Sequence, residues 1–458
     1  MLVDPAHPTP DGRPKLGRAV VWHSPDSGEP GWLVNHYAPA ADRCRRVEPG
    51  ELELLERCDG RRTLREVAAE LRMPLEELLV QLEAWAGRAP GMLRFLGALE
   101  LEERRKRHAL AAFELAGQQL ALSAEMPDLG HYHQREILEA FEQFERVETT
   151  VSHAFRVPHP ALGGRSYGEA LFDALRQRGW FREGGRMLEV GGGTGLLARH
   201  LLDRCRALAP EVYRELRYLA VDLSPALQIS QRRYLVSHEN RVAALRADVE
   251  ELELAASKVS FTIANEMIAD LQVAPVEGAH LRVGQPETEA ERLALAYELP
   301  LEGAPERFLL NVGAIRLVEK LSRWLAKGGR AVLTEHGGPL LYPEAVPLPG
   351  HREHSIHFGH LETAARKLGL EAEVVNLGEL LGADRQVRVI DSASLNLLSN
   401  HLLPALGRSP LPSLAYTREM LEAALGESLE RYGNLRFSRL EAGGFLSPFG
   451  FWALCLRR

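Results

Sequence analysis

The chain has 458 residues, 45% hydrophobic and 26% charged, which is enough for two or three globular domains. Its formal net charge of −8 argues against a protein built mainly to hold nucleic acid. No apolar run approaches the roughly 18 residues needed to cross a bilayer. The four cysteines form no Cys-x-x-Cys pair, so they indicate neither a disulfide framework nor a zinc site, and they favour a cytoplasmic location.

The first elements along the chain predict a small α+β module. Residues 1–30 are rich in Pro, Gly and Asp and are predicted to be a flexible lead-in. Short strand-like pieces follow, and Thr63 with Glu66 has the spacing of a helix-capping box. Two apolar stripes at helical spacing and a short β-wing complete a winged-helix domain over residues 31–97.

The winged-helix module has two candidate ligands, DNA and a peptide. A DNA-reading helix needs cations, but residues 73–87 contain three glutamates and no Lys or Arg. The segments Arg-Val-Glu-Pro-Gly (46–50), Leu-Leu-Glu-Arg-Cys-Asp-Gly (54–60) and Thr-Leu-Arg-Glu-Val-Ala (63–68) resemble the PqqD-like domains of ribosomal peptide biosynthesis. The resemblance implies that a peptide is bound by addition to a sheet edge. A dimerisation or packing module is the alternative.

The rest of the chain divides into a helical linker with a cap, residues 98–165, and a large α/β domain, residues 166–458. Within the latter, residues 187–195 read Met-Leu-Glu-Val-Gly-Gly-Gly-Thr-Gly, and a helical pattern follows from Leu196. A strand, a glycine-rich turn and a helix open a nucleotide-binding α/β fold. The spacing Glu-x-Gly-x-Gly-x-Gly resembles class I S-adenosylmethionine (SAM) methyltransferases. That resemblance assigns four cofactor-binding residues: Glu189, Gly191, Gly193 and Gly195.

Further acids follow the next two predicted strands. Asp222 ends the strand after the glycine turn, where a carboxylate can accept hydrogen bonds from both ribose hydroxyls, and Leu223 follows it. Asp248 ends the third strand, near the adenine, where Val249 can donate its backbone N–H. The alternative cofactor is a nicotinamide dinucleotide, but the carboxylate of Glu189 would repel its pyrophosphate.

Later segments resemble a narrower family, the MidA-like protein arginine methyltransferases. Residues 265–270, Asn-Glu-Met-Ile-Ala-Asp, resemble the family's Asn-Glu-x-x-Asp-Ala-x-Pro segment. Residues 330–338 stand where the family has Ile-Asp-Tyr-Gly, and residues 354–370 resemble its Ala-His-Val-Asp-Phe segment. The family's Gly-Asp-Phe-x-Thr segment is missing, and these departures surround the expected acceptor pocket. The resemblance therefore does not carry arginine specificity.

Three residues are predicted to be catalytic. Glu266 and Asp270 follow the fourth strand, where paired acids suit a cationic acceptor or proton abstraction; helix capping is the alternative. His336 ends the fifth strand as a candidate general base, with a structural histidine as the alternative. Asn265 is assigned to the cofactor. Four histidines repeat at every third residue: His351, His354, His357 and His360. The sequence leaves two roles open for them, metal binding and lining of the acceptor pocket, and no metal is assigned to them.

The predicted fold is thus a Rossmann-like class I methyltransferase domain with a helical cap and a small N-terminal α+β winged-helix domain. The predicted function is SAM-dependent methylation of a peptide or protein, for example a ribosomally made precursor peptide. A MidA-like arginine methyltransferase and a non-catalytic SAM-binding scaffold are the alternatives. We expect no nucleic acid or membrane partner, and a homodimer stays open.

Overall fold

The computed structural model shows two compact units, one within residues 1–104 and 388–438 and the other within residues 105–387 and 439–458. The predicted domain boundaries stay predictions, and the sequence analysis places residues 388–438 in the catalytic domain. Most of the predicted lead-in and cap lies outside the described residues. The structure describes residues 13–16, 19–22, 31–35, 44–47, 49–58, 62–88, 93–96, 150–238, 240–348, 351–395, 398, 414–425, 435–442 and 447–458.

The first unit is an α+β arrangement. Its helices pack around a small core that includes Leu55, Leu64, Val67 and Leu82. The capping box is confirmed, since Thr63 N donates to Glu66 Oε2 and Glu66 N donates to Thr63 Oγ1. Strands β2, β3 and β4 form one antiparallel sheet, and β1 pairs with β5. The elements are β1 Arg13–Leu16, β2 Ala19–Trp22, β3 Gly31–Asn35, β4 Cys44–Val47, α1 Pro49–Arg57, α2 Leu64–Glu70, α3 Leu75–Arg88 and β5 Leu93–Leu96.

The second unit is built on one large sheet with the order β16-β19-β12-β9-β6-β7-β8. The five strands from β12 to β8 in that order are parallel, and β19 runs antiparallel to both its neighbours. Their apolar runs are buried, as parallel strands covered on both faces require. The strands are β6 Arg186–Val190, β7 Arg217–Asp222, β8 Val242–Arg246, β9 Val259–Asn265, β12 Leu325–Gly338, β16 Glu371–Asn376 and β19 Phe451–Arg457.

Shorter strands and the helices complete the chain. The short strands are β10 Ala274–Glu277, β11 Arg307–Leu310, β13 Ala345–Leu348, β14 His351–His354, β15 Ile356–His357, β17 Arg388–Ile390 and β18 Phe437–Arg439. The helices are α4 Val151–Ala154, α5 Tyr167–Gln177, α6 Leu196–Leu208, α7 Pro210–Glu215, α8 Pro225–Tyr234, α9 Gly278–Arg282, α10 Glu289–Ala296, α11 Val312–Trp324, α12 Phe358–Lys367, α13 Leu377–Leu380 and α14 Arg418–Leu425.

The strand order places the candidate site. Leaving β6, the chain adds β7 and β8 on one side, then returns to add β9 and β12 on the other. Ligands of open α/β sheets bind at the carboxyl ends of the strands where the order reverses, here β6 and β9. The Rossmann-like fold is confirmed. No helix in the described ranges is both long and apolar enough to cross a bilayer.

Candidate active site

The glycine turn after β6 is held against the end of β7. The backbone N–H groups of Gly191 and Gly192 donate to Val221 O at 2.9 and 3.1 Å. Gly191 has a φ of +69°, and a Cβ there would lie 2.5 Å from Met267 Cβ. Any residue larger than glycine would therefore displace the segment that follows β9.

Gln231 of α8 is a part of this turn that the sequence analysis missed. Its buried side chain donates from Nε2 to Gly193 O at 3.0 Å. A Cβ at Gly195 would lie 2.9 Å from Gln231 Cα, so helix and turn are in direct backbone contact. No local pattern marks Gln231, because its role comes only from the packing of α8 on the turn.

Glu189 is a buried carboxyl at the end of β6, directly beneath the turn. Burial and the nearby charge of Asp222 raise its pKa from 4.5 to about 8, while the buried Tyr218 hydroxyl opposes the rise. Neither Glu189 Oε2 nor the Tyr218 hydroxyl makes a hydrogen bond of ordinary geometry to a described residue. A buried acceptor with no protein donor is suited to a cationic ligand group.

Asp222 fastens the two turns that border the same crevice. Its Oδ2 accepts from Gly193 N and its Oδ1 accepts from Ser224 N, both at 2.9 Å. Gln231 Nε2 also approaches Asp222 Oδ2, at 3.5 Å. A carboxylate at this strand end is the group that accepts hydrogen bonds from ribose hydroxyls in α/β nucleotide sites. The carbonyl of Leu223 accepts from Arg246 Nε at 3.1 Å, which holds the backbone of this turn.

Asp248 and Val249 follow β8 on the same edge. Asp248 Oδ1 accepts from Glu250 N at 2.8 Å and forms a tight turn. The Val249 side chain packs into the core. Ala247 N donates to Asp222 O at 3.0 Å, so the ends of β7 and β8 are joined next to the crevice. The assignment of these residues to adenine binding stays a prediction.

Asn265, at the end of β9, is the centre of a buried hydrogen-bond network. Its Oδ1 accepts from the Tyr167 hydroxyl at 2.5 Å and from Thr334 Oγ1 at 2.8 Å. Its Nδ2 donates to Glu266 Oε1 at 3.1 Å. The Asn265 side chain therefore ties α5 and β12 to the end of β9, and its predicted cofactor contact stays a prediction.

The structure corrects the predicted geometry of the acidic pair. Glu266 has a φ of +53°, and Asp270 ends a 3-10 turn that begins at Ile268. The two carboxylates therefore do not share one face of an α-helix. Glu266 instead accepts hydrogen bonds from Val151 N at 2.6 Å and Ser152 N at 2.8 Å, at the start of α4. The helix-capping alternative describes this contact, although the capped helix lies 114 residues earlier in the chain.

Glu335 is a buried carboxyl that the sequence analysis passed over in favour of His336. Its oxygens accept from His336 N at 2.9 Å and Ala269 N at 3.3 Å. Burial raises its pKa well above 4.5, and the charges of Glu353, Glu266 and Asp270 raise it further. The signal was present, because Glu335-His336-Gly337 aligns with the Asp-Tyr-Gly of the resembled family.

His336 is half-buried, and its ring packs edge-on against Phe451 at 5.6 Å. Burial lowers its pKa, so the imidazole is neutral at pH 7. That state is the one a general base requires.

The four histidines are divided among three elements. His351 and His354 lie on β14, His357 ends β15, and His360 lies in α12, where its N–H donates to His357 Nδ1 at 3.1 Å. The rings of His357 and His360 stack at 3.6 Å, and burial lowers their pKa values to about 4 and about 3. Within the described part of the chain, no three His, Cys, Asp or Glu residues are grouped to hold a metal. His357 thus caps the N-terminus of α12.

One family model and several solved structures are similar to this chain. Residues 167–337 match the model of a family described as "Putative S-adenosyl-L-methionine-dependent methyltransferase". The chain is similar to a COG1565 superfamily member from Burkholderia thailandensis bound to S-adenosylhomocysteine, at 17% identity over 78% of this chain and 91% of that one, with a TM-score of 0.40. It is also similar to a SAM-dependent methyltransferase from Mesorhizobium loti, at 13% identity over 65% and 100%, with a TM-score of 0.31. No curated protein sequence matches the chain.

The chain is a class I SAM-dependent methyltransferase, as the family match and the fold define it. The residues present fit the cofactor: Glu189 offers an unsatisfied buried oxygen for its ammonium group, and the Asp222 carboxylate is the group that accepts from ribose hydroxyls at this strand end. When bound, SAM supplies an electrophilic methyl group on a sulfonium. The MidA-like and PqqD-like resemblances are not settled by the comparisons.

The raised pKa of Glu189 gives a pH-dependent expectation. At pH 7 a carboxyl with a pKa of about 8 is mostly protonated, but pairing with an ammonium group needs the carboxylate. Binding of SAM at pH 7 is therefore expected to release about one proton, and Glu189→Gln to release none. Calorimetry in buffers of different ionisation enthalpy measures this difference.

The same linkage sets the sign of the stability change in the ligand-free protein. Because folding raises the pKa of Glu189, its contribution to stability is present below pH 4.5 and is lost as the pH rises through about 8. Glu189→Gln is therefore expected to have the higher melting temperature at pH 8 while binding SAM more weakly. Equal proton release by both proteins would contradict the assignment.

Proposed function

We propose that this methyltransferase modifies a basic nitrogen on a peptide or protein. The observation that carries the proposal is the buried carboxyl of Glu335, whose pKa is raised by burial and raised further by the charges of Glu353, Glu266 and Asp270 around it. These acids lie past the carboxyl ends of β9 and β12, the rim where an acceptor approaches the cofactor crevice. A cation arriving there would relieve their mutual repulsion, so a guanidinium or ammonium group is favoured over a neutral acceptor.

Two neighbouring residues have separate tasks in this proposal. Glu335 pairs the cationic acceptor and orients its nitrogen towards the cofactor methyl group, since in-line transfer needs the reacting atoms about 3–3.5 Å apart. His336, neutral at pH 7 because burial lowers its pKa, accepts the proton that the nitrogen loses. Both stand at the end of the same strand, β12.

The N-terminal unit supports a peptide as the acceptor. Its antiparallel sheet β2-β3-β4 is followed by three helices with their own apolar core. That order suits the PqqD-like resemblance, in which a peptide adds to the sheet edge. A ribosomally made precursor peptide is the acceptor that this module favours. The acidic rim also suits the narrower MidA-like function, methylation of an arginine side chain.

Transfer of labelled methyl groups from SAM tests the proposal. We expect label on peptides that contain Arg or Lys and none on matched peptides in which Gln replaces those residues. Glu335→Gln is expected to raise KM for the basic peptides at least about tenfold, because a charge-assisted hydrogen bond contributes about 1.5–3 kcal/mol. Affinity for SAM should stay unchanged.

Glu291→Gln is the matched control for Glu335→Gln. Glu291 is equally buried, and its carboxylate also accepts backbone N–H groups, from Glu277, Glu287 and Thr288. Glu291→Gln is expected to lower the melting temperature at pH 7, because folding lowers the pKa of Glu291, whereas folding raises the pKa of Glu335. Only Glu335→Gln should change KM. Equal labelling of basic and neutral peptides would overturn the cationic acceptor, and an unchanged KM in Glu335→Gln would overturn the role of that residue.

A further inference from the structure

Glu266 is the predicted catalytic acid whose contacts differ most from those expected of a proton acceptor. Its carboxylate accepts from Val151 N at 2.6 Å, from Ser152 N at 2.8 Å and from Asn265 Nδ2 at 3.1 Å. Three of its roughly four acceptor positions are therefore used within the protein. The short distances are those of charge-assisted hydrogen bonds, so the carboxylate is engaged in holding residues 151–152.

The backbone at Glu266 is held in a conformation that a side chain disfavours. Its φ of +53° lies in the left-handed region, and its N–H donates to Thr334 O at 2.9 Å, which fixes the peptide against β12. Strained non-glycine residues are retained where the surrounding structure depends on them. Here the left-handed turn directs the chain away from β9 immediately after Asn265.

Glu266 also connects residues 150–154 to the cofactor turn. The next residue, Met267, packs on Gly191, where a Cβ would lie 2.5 Å from Met267 Cβ. A second tie lies close by, since the Tyr167 hydroxyl donates to Asn265 Oδ1 at 2.5 Å. Residues 151–152 and the first residue of α5 are thus each fastened to the end of β9, and the first of these two points adjoins the turn.

We propose that Glu266 is a positioning residue that fastens residues 150–154 to the end of β9, where Met267 supports the glycine turn. It acts through α4 and Met267, and it does not exchange a proton with the acceptor. The proposal depends on the methyltransferase class and not on the identity of the acceptor, so it stands or fails apart from the cationic acceptor. Loss of the contact should loosen both residues 150–154 and the turn.

Two variants remove the contact from opposite sides. Glu266→Gln removes the charge. Val151→Pro removes the N–H that donates to Glu266 Oε2, at the first position of a helix, where proline is favoured. Thr150 before it is already extended, with ψ at 162°, as a residue that precedes proline must be. Ser152→Ala, which keeps every backbone donor, is a milder variant in case the others fold poorly.

The readouts are hydrogen exchange and the dissociation rate of S-adenosylhomocysteine from the full chain. In Glu266→Gln and Val151→Pro, amides of residues 151–155 are expected to exchange at least tenfold faster, and the ligand to dissociate several-fold faster. The double variant should dissociate no faster than the single ones, because both remove one contact. Ser152→Ala should also speed up amide exchange at residues 151–155 and ligand dissociation, but by smaller factors.

A general loss of stability would not produce this pattern. Thr288→Ala, which removes the N-cap oxygen of α10, serves as the control and is expected to lower the melting temperature without changing ligand dissociation. Unchanged exchange at residues 151–155 in Glu266→Gln would overturn the proposal. So would additive effects in the double variant, or wild-type dissociation in Val151→Pro beside a changed rate in Glu266→Gln.

Discussion

Replacement of Gly195 by alanine is expected to abolish measurable SAM binding. Gly195 has a φ of +85°, and a Cβ there would lie 2.9 Å from Gln231 Cα, a backbone atom of α8 that cannot rotate away. The left-handed conformation alone costs an alanine about 1–2 kcal/mol, and the clash requires the turn or the helix to shift. Calorimetric titration should show an affinity loss of at least about a hundredfold.

Gly382→Ala separates the clash from the backbone strain. Gly382 also has a left-handed φ, +63°, but its Cβ would meet no atom within 4 Å. The Gly382→Ala variant should lose a similar amount of stability to Gly195→Ala and keep the wild-type affinity for SAM. Wild-type affinity in Gly195→Ala would contradict the role of the turn, and equal affinity losses in both variants would show that strain alone was responsible.

Asp222→Ala is expected to weaken SAM binding at least tenfold. The substitution removes the acceptor of Gly193 N and Ser224 N, and with it the carboxylate assigned to the ribose hydroxyls. Hydrogen bonds to charged groups contribute about 1.5–3 kcal/mol each, which corresponds to about tenfold or more in affinity. The measurement is calorimetry with SAM and with S-adenosylhomocysteine.

Asp173→Ala is the control for Asp222→Ala. Asp173, on α5, accepts hydrogen bonds from the side chains of Arg165 and Arg204, and among the described residues none of its hydrogen bonds involves the glycine turn, so its loss should change stability and leave the affinity unaltered. Should Asp222→Ala bind as tightly as the wild type, the ribose assignment would be wrong.

The sequence predicts the methyltransferase fold well because its signals are local. Apolar runs end in Glu189, Asp222 and Asn265, and each run is a parallel strand whose polar end lies at the same edge of the sheet. Glycines at alternate positions imply a turn with left-handed backbone, which Gly191 and Gly195 have. The residues of the turn and its acids are therefore placed by spacing alone.

The acceptor side was less predictable because its contacts join distant parts of the chain. Glu266 binds amides 114 and 115 residues earlier, and nothing in residues 265–270 indicates that partner. A spacing of four predicts a shared helix face, but the left-handed backbone at Glu266 ends that pattern before it begins. Glu335 acquires its raised pKa from burial and from acids that only folding brings near it.

Hydrogen exchange of the full chain with and without S-adenosylhomocysteine tests the central claim most directly. If the ligand occupies the crevice between the ends of β6 and β7, amides of residues 190–196 and 222–226 should exchange more slowly when it is bound. Residues 274–284 belong to other elements, mainly β10 and α9, and the exchange of their amides should be unaffected. Saturating ligand with no protection at the two turns, or with protection only elsewhere, would contradict the account.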